Sequence, residues 1–218
     1  MASCLKQADQ LLRPRQHGLP SLWVLPLLVI FLGGTYGAIM GCYGGFTGER
    51  FWQVVYSGSK VPLLLLATFS ISLPSFFVLN SLAGLRSDFG QVLAALLATQ
   101  AGLTVILASL APYTVVWYLS VENYSRAILF NGVMFAIASL SAQLILLKFY
   151  RPLIHKNKLH RLMLILWLLI YCFVGIQMGW VLRPFIGSPH EPVEFFREES
   201  WGNAYEMVFN LILRQLGY

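Results

Sequence analysis

The chain has 218 residues, of which 57% are hydrophobic and 11% are charged, and its formal net charge is +6. An average soluble domain carries about 25% charged residues, so this composition excludes an ordinary soluble domain and is typical of a helical membrane protein. Because Lys and Arg collect in cytoplasmic loops of membrane proteins, we interpret the positive charge first as a sign of orientation. Nothing in the sequence resembles a nucleic-acid-binding module, and we expect no nucleic acid partner.

Charged residues divide the sequence into five apolar segments, each about as long as the hydrocarbon layer of a bilayer is thick. They follow an N-terminal segment, residues 1–21, that we expect to be cytoplasmic. The predicted spans are 22–42, 61–82, 91–117, 128–147 and 162–181. Lys60 is predicted to precede the second span. The predicted fold class is therefore all-α, an integral membrane bundle of five transmembrane helices within residues 22–183.

Glycine recurs at every fourth position in the second half of the first span, at Gly33, Gly37, Gly41 and Gly45. Residues four apart share one face of a helix, so this glycine stripe predicts a groove without side chains into which another helix packs closely. The sequence leaves the occupant of the groove open. It is either another helix of the same chain, or a partner subunit or second copy that docks there.

The spans as drawn carry no ionisable residue near their centres, which argues against a proton-coupled transporter, a pump or a voltage sensor. Their polar residues favour hydrogen bonds between helices, and Gln100 and Gln143 are also candidates for lining a small polar cavity. The histidines fall in loops or tails, so haem held between the helices would lack its imidazole ligand. No catalytic or metal-binding motif is present, and we expect no cofactor, no metal and no enzymatic activity.

The loop between the fourth and fifth spans, "KFYRPLIHKNKLHR", is strongly basic. We expect a solvated cytoplasmic face that includes His155 and His160. The alternative is a contact with anionic lipid headgroups, which attract cations that lie close to a membrane. The residues of this possible lipid contact are Lys148, Arg151, Lys156, Lys158 and Arg161.

The C-terminal segment, residues 184–218, differs from the spans. Its first part is rich in proline and cannot form one continuous helix. The apolar residues that follow have helical spacing and predict an amphipathic helix that lies in the membrane interface or on the bundle. A sixth span is the alternative. The aromatic anchors of the predicted interfacial helix are Trp201, Tyr205 and Phe209.

The distribution of Lys and Arg favours a cytoplasmic N-terminus and a C-terminus on the opposite side. With five spans in that orientation, nine of the fifteen cationic residues lie on the cytoplasmic side. They concentrate in the loop after the fourth span, and charges in short loops influence orientation most. On the opposite side, the segment after the fifth span also collects five glutamates.

Between about Arg50 and Leu147 the sequence resembles the Yip domain family of five-span integral membrane proteins. The likeness is carried by "ERFWQVVYSGSKVPLLLL", an aromatic approach to a span, and by "LAGLRSDFGQVLAALLATQAGLTVILASLAP", a glycine and small polar stretch before a long apolar one. The aspartate-leucine-tyrosine-glycine-proline motif of the eukaryotic members is absent. The resemblance is to bacterial-type relatives. It implies an inner (cytoplasmic) membrane protein of a prokaryote with a scaffolding or adaptor role and no catalytic residues.

Two functions remain open from the sequence. The first is a non-enzymatic scaffold or accessory subunit, in contact with membrane lipids, that joins a homo-oligomer or a larger membrane complex through the glycine stripe. The second is a channel or carrier for a neutral or lipid-like solute, with flux that depends on Gln100 or Gln143. A membrane-embedded enzyme is the least favoured class, because no nucleophile–base pair or metal cluster is visible.

Overall fold

The computed structural model describes residues 22–45, 47–121, 123–188, 191–197 and 205. Over these residues the chain forms five α-helices and two short 3-10 turns, with no β-strand. The helices are α1 (Val24–Gly41), α2 (Arg50–Leu82), α3 (Phe89–Ser120), α4 (Tyr124–Lys156) and α5 (Leu159–Val181). The 3-10 turns are Cys42–Gly44 and Arg86–Asp88. All five helices are long and apolar enough to cross a membrane, which confirms the all-α class and the number of candidate spans.

The observed helices contain the predicted spans almost completely, but two of them are much longer. α2 begins at Arg50 instead of residue 61, and α4 continues to Lys156 instead of ending at residue 147. A charged residue ends an apolar run in the sequence, but it does not end a helix if water or a neighbouring group forms hydrogen bonds with its side chain. Lys60 accordingly lies within α2 and does not mark the start of the helix. The start of the second span at residue 61 stays a prediction.

The glycine stripe packs against α2 of the same chain. A Cβ atom placed on Gly37 would lie 2.3 Å from the carbonyl oxygen of Ser57, and one on Gly41 would lie 2.7 Å from that of Gln53. No side chain fits into such distances, so only glycine allows the two backbones to approach this closely. At Gly37 and Gly41, therefore, the helix that packs into the groove is α2 of the same chain.

The two ends of the stripe behave differently. At Gly33 the added Cβ would lie 3.3 Å from the side-chain methyl of Thr104, so this end of the stripe faces α3 as well. Gly45 lies beyond the end of α1, has a φ of +95° and has no described heavy atom within 4 Å of its Cβ position. It therefore does not continue the helical packing face, because the chain has already turned out of the helix, and a place for it in a partner interface stays a prediction.

The helices are arranged around α1. It packs against α2 and α3, α3 packs against α4, and α5 packs mainly against α2. α2 and α4 scarcely touch each other. The bundle is thus open between α2 and α4, and this opening holds the site described below.

Buried apolar residues form one cluster in each half of the bundle. The first joins α1, α3 and the adjoining parts of α2 and α4, and it includes Tyr36, whose hydroxyl donates a hydrogen bond to the Asn131 side-chain oxygen at 3.1 Å. The second surrounds Trp167 of α5, whose ring contacts those of Phe69 and Phe76. These contacts attach α5 to the second half of α2, so the first halves of α2 and α4 are free to border a cavity.

The predicted interfacial helix lies almost entirely outside the described residues. Tyr205 is described, and its ring stacks on that of Phe173 in α5 with the two centroids 4.6 Å apart. Trp201 and Phe209 are outside the described part of the chain, as is the N-terminal segment of residues 1–21. The amphipathic C-terminal helix therefore stays a prediction.

Candidate ligand-binding site

After α5 the chain folds back against α2 and α4 over residues 182–188, which we call the return segment. Irregular backbone that is buried in an apolar bundle needs partners for its polar groups. Side chains of α2 and α4 provide them by donating hydrogen bonds to four backbone carbonyls. The pairs, donor first, are Lys60 and Pro184 at 2.7 Å, Ser57 and Phe185, Tyr124 and Ile186 at 2.9 Å, and Arg50 and Ser188 at 2.8 Å.

Three of the four donors belong to a polar stripe on α2 that Gln53 completes. Arg50, Gln53, Ser57 and Lys60 follow one another at spacings of three and four residues, so they share one face of the helix. A Cβ on Gly187 would lie 2.7 Å from the Gln53 side chain, so glycine lets the return segment lie directly against that side chain. The polar stripe and the return segment run antiparallel along each other. Sequence reasoning misses this stripe because it takes Lys60 as a boundary, although the helical spacing is visible in the sequence.

Lys60 is a buried cation within a helix that is apolar enough to span a membrane. Its side chain is fully buried about 15 Å along α2 from Arg50, at 1.5 Å per residue. Its ammonium group donates to Pro184 and lies 5.0 Å from the centre of the Phe195 ring. No carboxylate among the described residues forms an ion pair with it. Lys60 directly precedes the predicted span 61–82, so the absence of ionisable residues near the centres of the spans stays a prediction. Within a membrane, a buried cation is costly and commonly marks a functional site.

A cavity of about 400 Å³, which we call the apolar cavity, lies between α2, α4 and the return segment. Leu64, Ile128, Phe135 and Phe185 form much of its wall. Ile128 is 48% exposed, so the cavity opens onto the outer surface of α4. A volume in this range accommodates a small organic ligand or part of a larger one.

A second cavity of about 350 Å³, which we call the polar cavity, shares Pro184 and Arg197 with the apolar cavity. Its lining includes Ser188, Glu191 and Glu194. The two cavities are therefore neighbours of opposite character. One offers apolar side chains and the other offers charged and hydrogen-bonding groups.

Arginines lie where the two cavities meet. Arg197 lines both cavities and forms an ion pair with Glu191. Arg183 lines the apolar cavity, and its guanidinium lies 3.3 Å from the centre of the Trp180 ring. Stacking on an aromatic ring fixes the plane of a guanidinium and thereby the direction of its N–H groups. The lining of the apolar cavity thus includes two arginine side chains.

The two glutamines proposed from the sequence lie elsewhere. Gln100 accepts a hydrogen bond of 3.0 Å from the Tyr171 hydroxyl, and this bond links α3 to α5. The Gln143 side-chain oxygen is buried and makes no hydrogen bond to the described residues. Neither glutamine lines the apolar or the polar cavity. That Gln100 and Gln143 line some other polar cavity stays a prediction.

The basic cluster at the opposite end of the bundle is partly buried. Asp88 accepts a hydrogen bond from Lys156, and one of its oxygens lies 3.2 Å from Nε2 of His160. His160 is fully buried, so the expectation that it belongs to a solvated face is wrong, whereas His155 is exposed as expected. The five residues of the possible lipid contact are all exposed, and that contact stays a prediction: Lys148, Arg151, Lys156, Lys158 and Arg161.

The described residues contain no group of three or more His, Cys, Asp or Glu side chains placed to hold a metal ion. A comparison of the chain with protein-family models finds no match, and searches of curated proteins and of solved structures find none either. The resemblance to the Yip domain family accordingly stays a prediction. The functional assignment therefore has to come from the geometry and charge of the two cavities.

Proposed function

We propose that this chain is an integral membrane protein that binds a lipid-like amphiphile in the apolar cavity. One observation carries the proposal: a mostly apolar cavity borders the exposed surface of α4 and has two arginines, Arg183 and Arg197, in its lining. In a bilayer the exposed face of α4 lies against acyl chains. An amphiphile can therefore enter the cavity sideways with its apolar part leading along the wall and its polar end beside the arginines.

In a bilayer, the apolar wall of the cavity can contribute only a small part of the binding free energy of a lipid. A lipid tail is already surrounded by hydrocarbon, so its transfer into the cavity yields little hydrophobic free energy. Close packing and contacts at the polar end must then provide the selectivity. The return segment suits this role, because side-chain hydrogen bonds from α2 and α4 fix its position before any ligand arrives.

This proposal develops the second hypothesis from the sequence, a carrier or channel for a lipid-like solute, as a binding role without catalysis. The first hypothesis, a scaffold or accessory subunit, rests on the glycine stripe, and Gly37 and Gly41 already contact α2. A homo-oligomer or complex would need another surface. We retain a cytoplasmic N-terminus in a prokaryotic inner membrane as part of the proposal, and the cavities then lie toward the opposite side.

The experiment that tests the proposal places a larger side chain in the lining of the apolar cavity, so that less room remains for a lipid. Gly132 lines the apolar cavity, and no heavy atom of the described residues lies within 4 Å of its Cβ position, so a larger side chain can begin there without a backbone clash and extend into the cavity. We expect Gly132→Leu to lower the amount of lipid retained per protein severalfold. Lipid is extracted from protein purified in mild detergent and quantified by mass spectrometry.

Gly179→Leu is the matched control, because Gly179 also has no described residue within 4 Å of its Cβ position, and it lies on α5 and lines neither cavity. It should retain as much lipid as the wild type. Equal lipid in Gly132→Leu and Gly179→Leu protein, or no retained lipid in the wild type, would contradict the proposal.

A further inference from the structure

The two cavities differ in the charges of their lining. Arg183 and Arg197 are among the lining residues of the apolar cavity, and Arg197 also lines the polar cavity together with its ion-pair partner Glu191 and with Glu194. The first cavity thus combines apolar residues with two arginines, and the second, which shares Arg197, adds two glutamates. A ligand that fills both cavities should have complementary parts: an apolar chain, an anionic group and a cationic group.

We propose that the ligand is an aminophospholipid, with an acyl chain in the apolar cavity, its phosphate beside the two arginines and its primary ammonium group in the polar cavity. This inference rests on the proposed function and names the class of headgroup. In this arrangement the apolar cavity, of about 400 Å³, holds part of an acyl chain, and the polar cavity, of about 350 Å³, holds the headgroup.

The phosphate position follows from the arginines. A guanidinium presents five N–H donors in a planar fork that matches two phosphate oxygens. Stacking on Trp180 orients Arg183, and the ion pair with Glu191 holds Arg197 at the boundary of both cavities. Behind the wall, the ammonium group of Lys60 binds the Pro184 carbonyl and adds positive charge near the same place.

The position of the amine follows from the carboxylates. A primary ammonium has three N–H donors and forms strong charge-assisted hydrogen bonds with carboxylates. A quaternary ammonium has none and is recognised mainly by the faces of aromatic rings. The described lining of the polar cavity contains Glu191 and Glu194 and no aromatic side chain. The polar cavity therefore suits ethanolamine-like headgroups better than choline.

The test compares three lipids with identical acyl chains: phosphatidylethanolamine, phosphatidylcholine and phosphatidylglycerol. Full-length protein in mixed micelles is titrated with each lipid, and bound lipid is counted by native mass spectrometry. We expect phosphatidylethanolamine to bind about tenfold more tightly than the other two, as one charge-assisted contact would give. Equal binding of all three, or a preference for phosphatidylglycerol or phosphatidylcholine, overturns the headgroup assignment and leaves the proposed function standing. Loss of all three overturns both.

Variants separate the two charged contacts. Glu194→Gln should remove the preference for phosphatidylethanolamine over phosphatidylcholine, whereas Arg183→Gln or Arg197→Gln should weaken all three phospholipids and spare an uncharged diacylglycerol. Glu49→Gln and Arg126→Gln are controls, because both residues are exposed, lie at the same end of the bundle and line neither cavity. If the controls act like the cavity variants, the effect is one of general surface charge and the assignment fails.

Discussion

Lys60 shows at the scale of one residue how the polar wall is held. Burying an ammonium group in an apolar bundle costs several kcal/mol, and the hydrogen bond to Pro184 with the contact to Phe195 offsets part of that cost. The return segment is therefore attached to α2 at the point where the two cavities begin. Removal of the Lys60 ammonium group should therefore loosen the return segment more than it destabilises the helical bundle.

We expect Lys60→Met to leave α1–α5 folded and to loosen the return segment. Methionine fills a similar volume without a charge, but the Pro184 carbonyl loses its donor, which costs about 1–3 kcal/mol. Hydrogen exchange measured by mass spectrometry should become faster on the order of tenfold in residues 185–188. Lys158→Met, at an exposed position, is the control. Unchanged exchange in Lys60→Met protein would show that the ammonium group does not hold the segment.

His160 shows where reasoning from single residues fails. Its neighbours Lys158 and Arg161 are exposed, so the local sequence predicts a solvated histidine. Its partner is Asp88, which lies 72 positions earlier in the chain and approaches only when α3 and α5 are in place. A contact of this kind leaves no local pattern, and the sequence could not predict it.

At the scale of elements, the sequence predicts where the helices lie along the chain better than it predicts which segments pack against each other. The glycine stripe predicts close packing, and Gly37 and Gly41 indeed lie against the backbone of α2. The first three turns of α2 escape prediction because charge was taken as the boundary of a span. The polar stripe on those turns is visible as helical spacing, but its partner, the return segment, lies 124 positions after Lys60.

We expect Gly37→Ala to destabilise the pairing of α1 and α2. The new Cβ would lie 2.3 Å from a backbone oxygen of Ser57, so the helices must separate, at a cost of about 1–3 kcal/mol. Gly34→Ala is the control, because its Cβ would lie 3.4 Å from the Gly58 carbonyl oxygen. Thermal unfolding in detergent should show a lower midpoint for Gly37→Ala alone. Equal midpoints for both variants would mean that the stripe is not tightly packed.

At the scale of the whole molecule, the arrangement of helices creates the site. α1 and α3 stand next to each other, with α2 on one side and α4 on the other, and the return segment closes one end of the space between α2 and α4. Composition predicts the five apolar helices. It does not predict that the segment after α5 folds back against the bundle, because that depends on four side-chain hydrogen bonds across the fold.

Photocrosslinking tests the central claim, that a lipid occupies the apolar cavity, most directly. The protein is reconstituted in vesicles that contain phosphatidylethanolamine with a photoreactive group in its acyl chain, irradiated, and digested for mass spectrometry. We predict that adducts concentrate on the cavity wall, at Leu64, Phe135 and Phe185. Leu140 and Leu169 are 71% and 62% exposed and serve as references for the surface in contact with bulk lipid. Adducts spread evenly over these exposed positions, with none in the cavity, would contradict the account.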